Sequence, residues 1–248
     1  MVEKSVCVNN NVLVVDAGNT SIKWSLFNGD GEVLEHIQSA TPPAFEGVSS
    51  IFFASVKGDQ IDSHLCAEIQ HHFPEAHLVK LAATQVPGVM KNGYLHPERL
   101  GVDRWLGIVA CHFLYPGNTM LIDAGTALKI DFVTENGVYL GGYISPGLAM
   151  MRQSLVAGTG RIRFEDHEMG LCKGIPNTTA LAVQYGVSEM LLGMVERQCR
   201  QHPECRIVMT GGDAPWLKDL LGLDAIYDES LVAKGGWYLG RYMTRGCP

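Results

Sequence analysis

Residues 12–23 read VLVVDAGNTSIK and residues 120–129 read MLIDAGTALK, so an apolar, β-branched run ends twice in Asp-Ala-Gly-polar. Such a run predicts a buried strand, and the glycine punctuates it with a turn. In each copy a second apolar stretch follows, residues 21–27 and residues 127–133, which completes a strand-turn-strand unit. Repetition of the unit predicts a duplicated chain with two equivalent lobes. Pro116-Gly117-Asn118 is a strong breaker between them and places the lobes at residues 1–116 and 117–248.

Outward from these two units, residues 50–56 and 207–209 read as further strands. Residues 104–115 carry Trp105, Ile108, Val109 and His112 at helical spacing, and residues 180–201 form a second helical stretch. That second stretch carries Leu181, Val183, Val187, Met190, Leu191, Met194 and Val195, more apolar surface than one core-facing stripe needs. Alternation of strand and helix in each half predicts an α/β architecture with mixed sheets flanked by helices.

Composition narrows the function. With 46% hydrophobic and 18% charged residues the chain can build a packed core. A net charge of -7 excludes a phosphate-backbone binder, which needs a concentrated basic face, so no nucleic-acid partner is expected. Residues 1–11 lack the pattern of a signal peptide and no run approaches ~18 apolar residues, so a cytoplasmic protein without a membrane partner is expected. The seven cysteines form neither a CxxC pair nor a zinc pattern and read as reduced thiols, and His71 with His72 reads as a solvated helix face.

A turn of the type Asp-x-Gly-polar can serve a nucleotide. The glycine lets backbone approach phosphate oxygens, successive N–H groups form an anion-binding concavity, and a Thr hydroxyl adds a donor. Asp16 and Asp123 beside those phosphates call for a cation, and Lys23 can reach the transferring group. A lone copy reads as an ordinary hairpin turn; two at matching strand ends favour the phosphate reading considerably more. Residues 208–214, VMTGGDA, add a strand running into a Gly-Gly turn with room for a base or ribose. Three turns in this order resemble the phosphate 1, phosphate 2 and adenosine set of the actin/hexokinase-like ATPases, a duplicated ribonuclease H-like fold.

The segments DAGNTSIK (residues 16–23), LGVDRW (100–105), IDAGTA (122–127) and GGYISPG (141–147) resemble the signature set of type III pantothenate kinases. The resemblance implies ATP-dependent phosphorylation of pantothenate to 4'-phosphopantothenate, the first step of coenzyme A synthesis. By it Asp16, Ala17, Gly18, Asn19, Thr20, Ser21, Ile22, Lys23 and Thr126 would bind ATP with Mg²⁺. Asp123 would hold a monovalent cation, K⁺ or NH4⁺. Tyr94, Gly101, Val102, Asp103 and Arg104 would line the pantothenate pocket, with Asp103 as proton acceptor. Thr179 would touch pantothenate across a homodimer interface, although a one-residue gap would exchange it with Thr178. Residues 1–10 extend beyond the family's usual start. GGYISPG needs no ligand to explain it and reads as a wall near the pocket.

Read by residue type alone, Asp103 before an apolar helix is a cap and Arg104 a surface ion-pair partner. Their place between two phosphate turns favours a base and a guanidinium fork for carboxylate or phosphate. Two other readings remain: a different small-molecule kinase of the same superfamily, and a non-enzymatic transcriptional accessory factor.

Overall fold

The computed structural model describes residues 10–245; Cys7, Cys247 and residues 1–9 of the N-terminal extension lie outside the described residues. The described residues form two compact units: residues 10–117, 133–141 and 230–245 make the first, Asn118–Phe132 and Gly142–Glu229 the second.

In the first unit, β1 (Asn11–Ala17), β2 (Ile22–Phe27), β3 (Val33–Gln38), β4 (Val48–Ser55) and β5 (His77–Lys80) pair in the order β3-β2-β1-β4-β5. β2 is antiparallel to β1 and β3, whereas β4 runs parallel to β1 and β5. Side chains alternate between the faces of a strand. Leu13, Val15, Ala17, Ile22, Trp24, Ile51 and Phe53 therefore share one face and form a core with Leu65 and Ile69 of α1 (Asp59–His72). His71 and His72, in the last turn of α1, are exposed.

The opposite face carries Val12, Val14, Asp16 and Lys23, and it is covered by α2 (Val102–Leu114) and α6 (Leu231–Arg245). Close approach of α6 depends on missing side chains. A β-carbon on Gly240 would stand 2.2 Å from the Phe52 ring, one on Gly236 2.7 Å from Val14, and one on Gly235 1.8 Å from the Leu106 carbonyl oxygen.

The second sheet repeats the plan. β7 (Thr119–Ala124), β8 (Ala127–Val133), β9 (Val138–Pro146), β10 (Arg206–Thr210) and β11 (Ala225–Tyr227) follow the order β11-β10-β7-β8-β9, with β10 parallel to β7 and β11. The two-residue link from β7 to β8 is far too short for a parallel crossover, so the pair is a hairpin. Strand for strand this is the order of the first unit. Its core joins Ile122, Ala124, Leu128 and Ile130 to Val187, Leu191 and Val195 of α4 (Thr179–Gln201) and to Ala214 and Leu217 of α5 (Ala214–Leu221). α3 (Leu148–Gly158) packs on α4. β6 (Lys91–Asn92) pairs with the first residues of β9, Lys91 opposite Val138 and Asn92 opposite Tyr139, within the first unit. The five described cysteines are free thiols, and no described helix is long and apolar enough to cross a membrane.

Candidate active site

Each Asp-Ala-Gly turn sits at the end of the central strand of its unit. In the first, Asp16 lies directly opposite Lys23 across the β1–β2 ladder, on the face covered by α2 and α6. The Ala17 carbonyl accepts the amide of Val56, just past the end of β4, at 3.2 Å. In the second, the equivalent Ala124 carbonyl accepts the amide of Asp213, just past the end of β10, at 2.9 Å. The duplication thus extends to the hydrogen bond that closes each turn.

In the first unit, α2 brings the remaining polar groups to the same corner. Its N-cap position is Gly101, which has no side chain to cap with, and Asp103 stands in the first turn. The Asp103 Oδ1 lies 2.6 Å from where a β-carbon on Gly101 would be, and Val56 Cγ1 lies 3.9 Å from the same point. A side chain at 101 would displace the carboxylate. Asp103 and Val56 thus both flank Gly101, and the Val56 amide donates to the Ala17 carbonyl. Val102, next to it, is buried.

The buried Arg104 side chain lies in an aromatic nest. Its Nη2 donates to the Tyr139 hydroxyl at 3.0 Å, and its guanidinium carbon lies 5.8 Å from the Tyr94 ring centroid. Tyr94 stacks on Tyr139 at 6.0 Å with the rings 15° apart, and Trp105 meets Tyr139 edge-on at 6.2 Å. The backbone holds the same pair together, because Gly93 donates to the Tyr139 carbonyl at 3.1 Å and the Asn92 side chain accepts the Tyr94 amide at 3.0 Å. A guanidinium over an aromatic face is attracted by the ring quadrupole, more so when desolvated. Arg104 is 6% exposed, so it is not the surface ion-pair partner that its residue type suggests. Tyr139 is fully buried; the sequence reading passes over it, and the one signal is its place two residues before the GGYISPG segment.

The second unit gathers Asp123, Thr126 and the Gly-Gly turn. Ile122, Ala124, Leu128 and Ile130 face the core, which leaves Asp123 and Lys129 on the other face, and their side chains form an ion pair at 2.8 Å. Gly211 adopts φ +91°, a left-handed conformation that L side chains rarely take. A β-carbon there would stand 2.2 Å from the Ala124 oxygen and 2.8 Å from Asp123 Oδ1. Burial pushes the Asp213 carboxyl above its ordinary range, offset in part by Arg152. GGYISPG backs the turn from below. The Gly147 amide donates to the Thr126 carbonyl at 3.0 Å, and a β-carbon on Gly147 would stand 2.1 Å from the Gly125 oxygen.

The two threonines at the start of α4 differ. Thr178 is the N-cap, its hydroxyl accepting the Leu181 amide at 3.3 Å. Thr179 is exposed and lines an apolar groove of about 420 Å³ with Leu155, Ile162, Val183, Val187 and Met190.

Comparison with known proteins places this arrangement. The sequence profile of the type III pantothenate kinases matches residues 12–201. The chain belongs to the type III pantothenate kinase family. A type III pantothenate kinase of Marinomonas sp. (strain MWYL1) is 45% identical over 241 residues, covering 96% of this chain and 98% of the relative. One of Pseudomonas aeruginosa is 38% identical over 232 residues, covering 85% and 91%. Among solved structures, a Campylobacter jejuni protein assigned to the Baf family of transcriptional activators superposes with a TM-score of 0.60 at 24% identity, covering 93% of this chain and 98% of that one. A Sinorhizobium meliloti protein assigned as a 2-dehydro-3-deoxygalactonokinase gives 0.57 at 13% identity, covering 94% and 99%. These likenesses show the fold alone, an α/β architecture of two mixed sheets flanked by helices.

Proposed function

We propose that the protein transfers the γ-phosphoryl group of ATP to the primary hydroxyl of pantothenate, the first committed step toward coenzyme A. The observation that carries this reading is that Asp103 and Val56, whose amide closes the Ala17 turn, both flank Gly101, while Arg104, next in sequence, carries a cation into the Tyr94–Tyr139 nest. Family membership selects pantothenate kinase over the other small-molecule kinases and over a transcriptional accessory role.

In this mechanism residues 16–23 receive the ATP phosphates on turn amides and hydroxyls, with Lys23 beside them. Thr126 and the Gly211 turn contact the rest of the nucleotide. Asp16, half-buried at a strand end, fits the one or two carboxylates through which Mg²⁺ is ordinarily held beside phosphates. When bound, Mg²⁺ neutralises charge on the phosphate oxygens. Tyr94, Gly101 and Val102 shape the acceptor pocket, and the Arg104 fork pairs with pantothenate's carboxylate. Phosphoryl transfer through a loose transition state leaves the hydroxyl proton to move late, so Asp103 first orients the hydroxyl and then accepts its proton.

We further propose two functional halves, residues 1–116 with the first phosphate turn and acceptor motif and 117–248 with the second phosphate and adenosine turns, in a cytoplasmic homodimer. The dimer reading is supported by the apolar groove at Thr179 and by Met190, 66% exposed on α4. Coupled measurement of ADP release with pantothenate tests the activity; no release above the ATP-only control would sink it.

A further inference from the structure

We infer that the Lys129 ammonium is a built-in monovalent cation at Asp123, so that turnover requires neither potassium nor ammonium ions. The inference rests on the pantothenate kinase reading above and replaces the soluble cation that the family resemblance implies at Asp123. Lys129 Nζ lies 2.8 Å from Asp123 Oδ2, and the two side chains are only 19% and 21% exposed. The other oxygen, Oδ1, lies 2.8 Å from where a β-carbon on Gly211 would stand. One carboxylate oxygen thus already holds a unit positive charge.

The donor set around Asp123 does not suit a free ion. A desolvated monovalent cation needs several oxygen ligands to replace its hydration shell. At Asp123 one of the two carboxylate oxygens is already engaged by Lys129. An incoming cation would also meet the repulsion of Lys129 in a half-buried setting, where charges are screened far less than in water. The ammonium carries the same charge and three donors on a flexible stem, so it can neutralise a phosphate beside the turn as a soluble cation would. Being tethered, it needs no cation in solution. In the first unit Lys23 stands opposite Asp16 at the equivalent hairpin, so a lysine on the next strand accompanies the strand-end carboxylate in both halves.

The test compares turnover in buffers whose only cation is tetramethylammonium with turnover in potassium. Wild type is expected to keep its rate within about twofold. Lys129→Ala should fall by about tenfold or more in tetramethylammonium and recover on adding K⁺ or NH4⁺. Lys129→Gln, closer in length, serves should the alanine loosen the fold. A second readout needs no substrate: thallium(I) observed by NMR should bind Lys129→Ala and not wild type. A wild type that stalls without potassium, binds thallium(I) in a manner abolished by Asp123→Asn, or loses nothing on Lys129 replacement overturns the inference. Wild type inert toward pantothenate in both buffers would instead remove the kinase reading, and the thallium result would then decide the Asp123 site by itself.

Discussion

The Arg104 guanidinium donates to the Tyr139 hydroxyl at 3.0 Å although the two residues are 35 positions apart, and both are buried. Tyr139 fixes the fork on one side while its ring supports Tyr94 on the other. Tyr139→Phe keeps the ring and deletes the acceptor. A hydrogen bond to a charged group is worth ~1.5–3 kcal/mol, and ~1.4 kcal/mol is a factor of ten. The pantothenate KM should therefore rise about tenfold, with kcat and the ATP KM nearly unchanged. Steady-state kinetics in both substrates checks this; an equal loss in the ATP KM would mean that Tyr139 only supports the fold.

Asp103 and Gly101 share one small space, which separates catalysis from capping. Asp103 follows an N-cap at Gly101, so removing its charge takes away a first-turn dipole interaction of ~0.3–1 kcal/mol. Asp103→Asn should keep its melting temperature within a few degrees and its ATP affinity, while kcat falls by ~10² or more. Normal turnover with a lowered melting temperature would leave Asp103 a structural role alone.

The strands, the duplication and the three turns are legible because the signal is local: apolar runs ending in Asp-Ala-Gly repeat in one dimension. Helix starts shift by one or two residues, Val102 in place of Arg104 and Thr179 in place of Ala180, because caps at Gly101 and Thr178 act ahead of the apolar pattern. What the sequence hides are meetings between distant segments. Nothing in the run Gly235-Gly236 and Gly240 announces that α6 belongs to the first unit, since the need for glycine lies in Phe52, Val14 and Leu106 opposite. Lys129 stands inside the quoted repeat, yet its ion pair depends on the hairpin register, and Tyr139 becomes significant only once Arg104 is seen to turn inward.

Gly211 joins the adenosine turn to the second phosphate turn with no atom to spare. A methyl group there would have to move the Ala124 carbonyl, whose oxygen accepts the Asp213 amide, and would hold alanine at φ +91°. Strained left-handed positions cost of order 1–3 kcal/mol, and the overlap adds to that. Gly211→Ala should lower the melting temperature by several degrees and weaken ATP binding, whereas Gly212→Ala, with nothing within 4 Å of its added carbon, should do much less to stability. Calorimetry with and without ATP reads both effects, and equal behaviour of the two variants would contradict the proposed packing.

Thr178 and Thr179 are adjacent and chemically identical, so their different surroundings make opposite expectations. The Thr178 hydroxyl is engaged at the N-cap of α4, accepting the Leu181 amide at 3.3 Å; replacing such a cap by alanine costs ~1 kcal/mol. Thr178→Ala should therefore melt a few degrees lower and keep its pantothenate KM once folded. The Thr179 side chain is exposed beside the apolar groove with Val183 and Met190 and makes the better candidate for a ligand contact completed by a second subunit. Thr179→Ala should leave the melting temperature unchanged and raise the pantothenate KM severalfold. If the contact crosses a dimer interface, Thr179→Arg subunits and Asp103→Asn subunits should restore each other on exchange. Half of the dimers are then mixed and each has one of two sites intact, so activity should approach roughly a quarter of wild type. No recovery after verified exchange, or full activity in a monomer by sedimentation, would confine Thr179 to its own subunit.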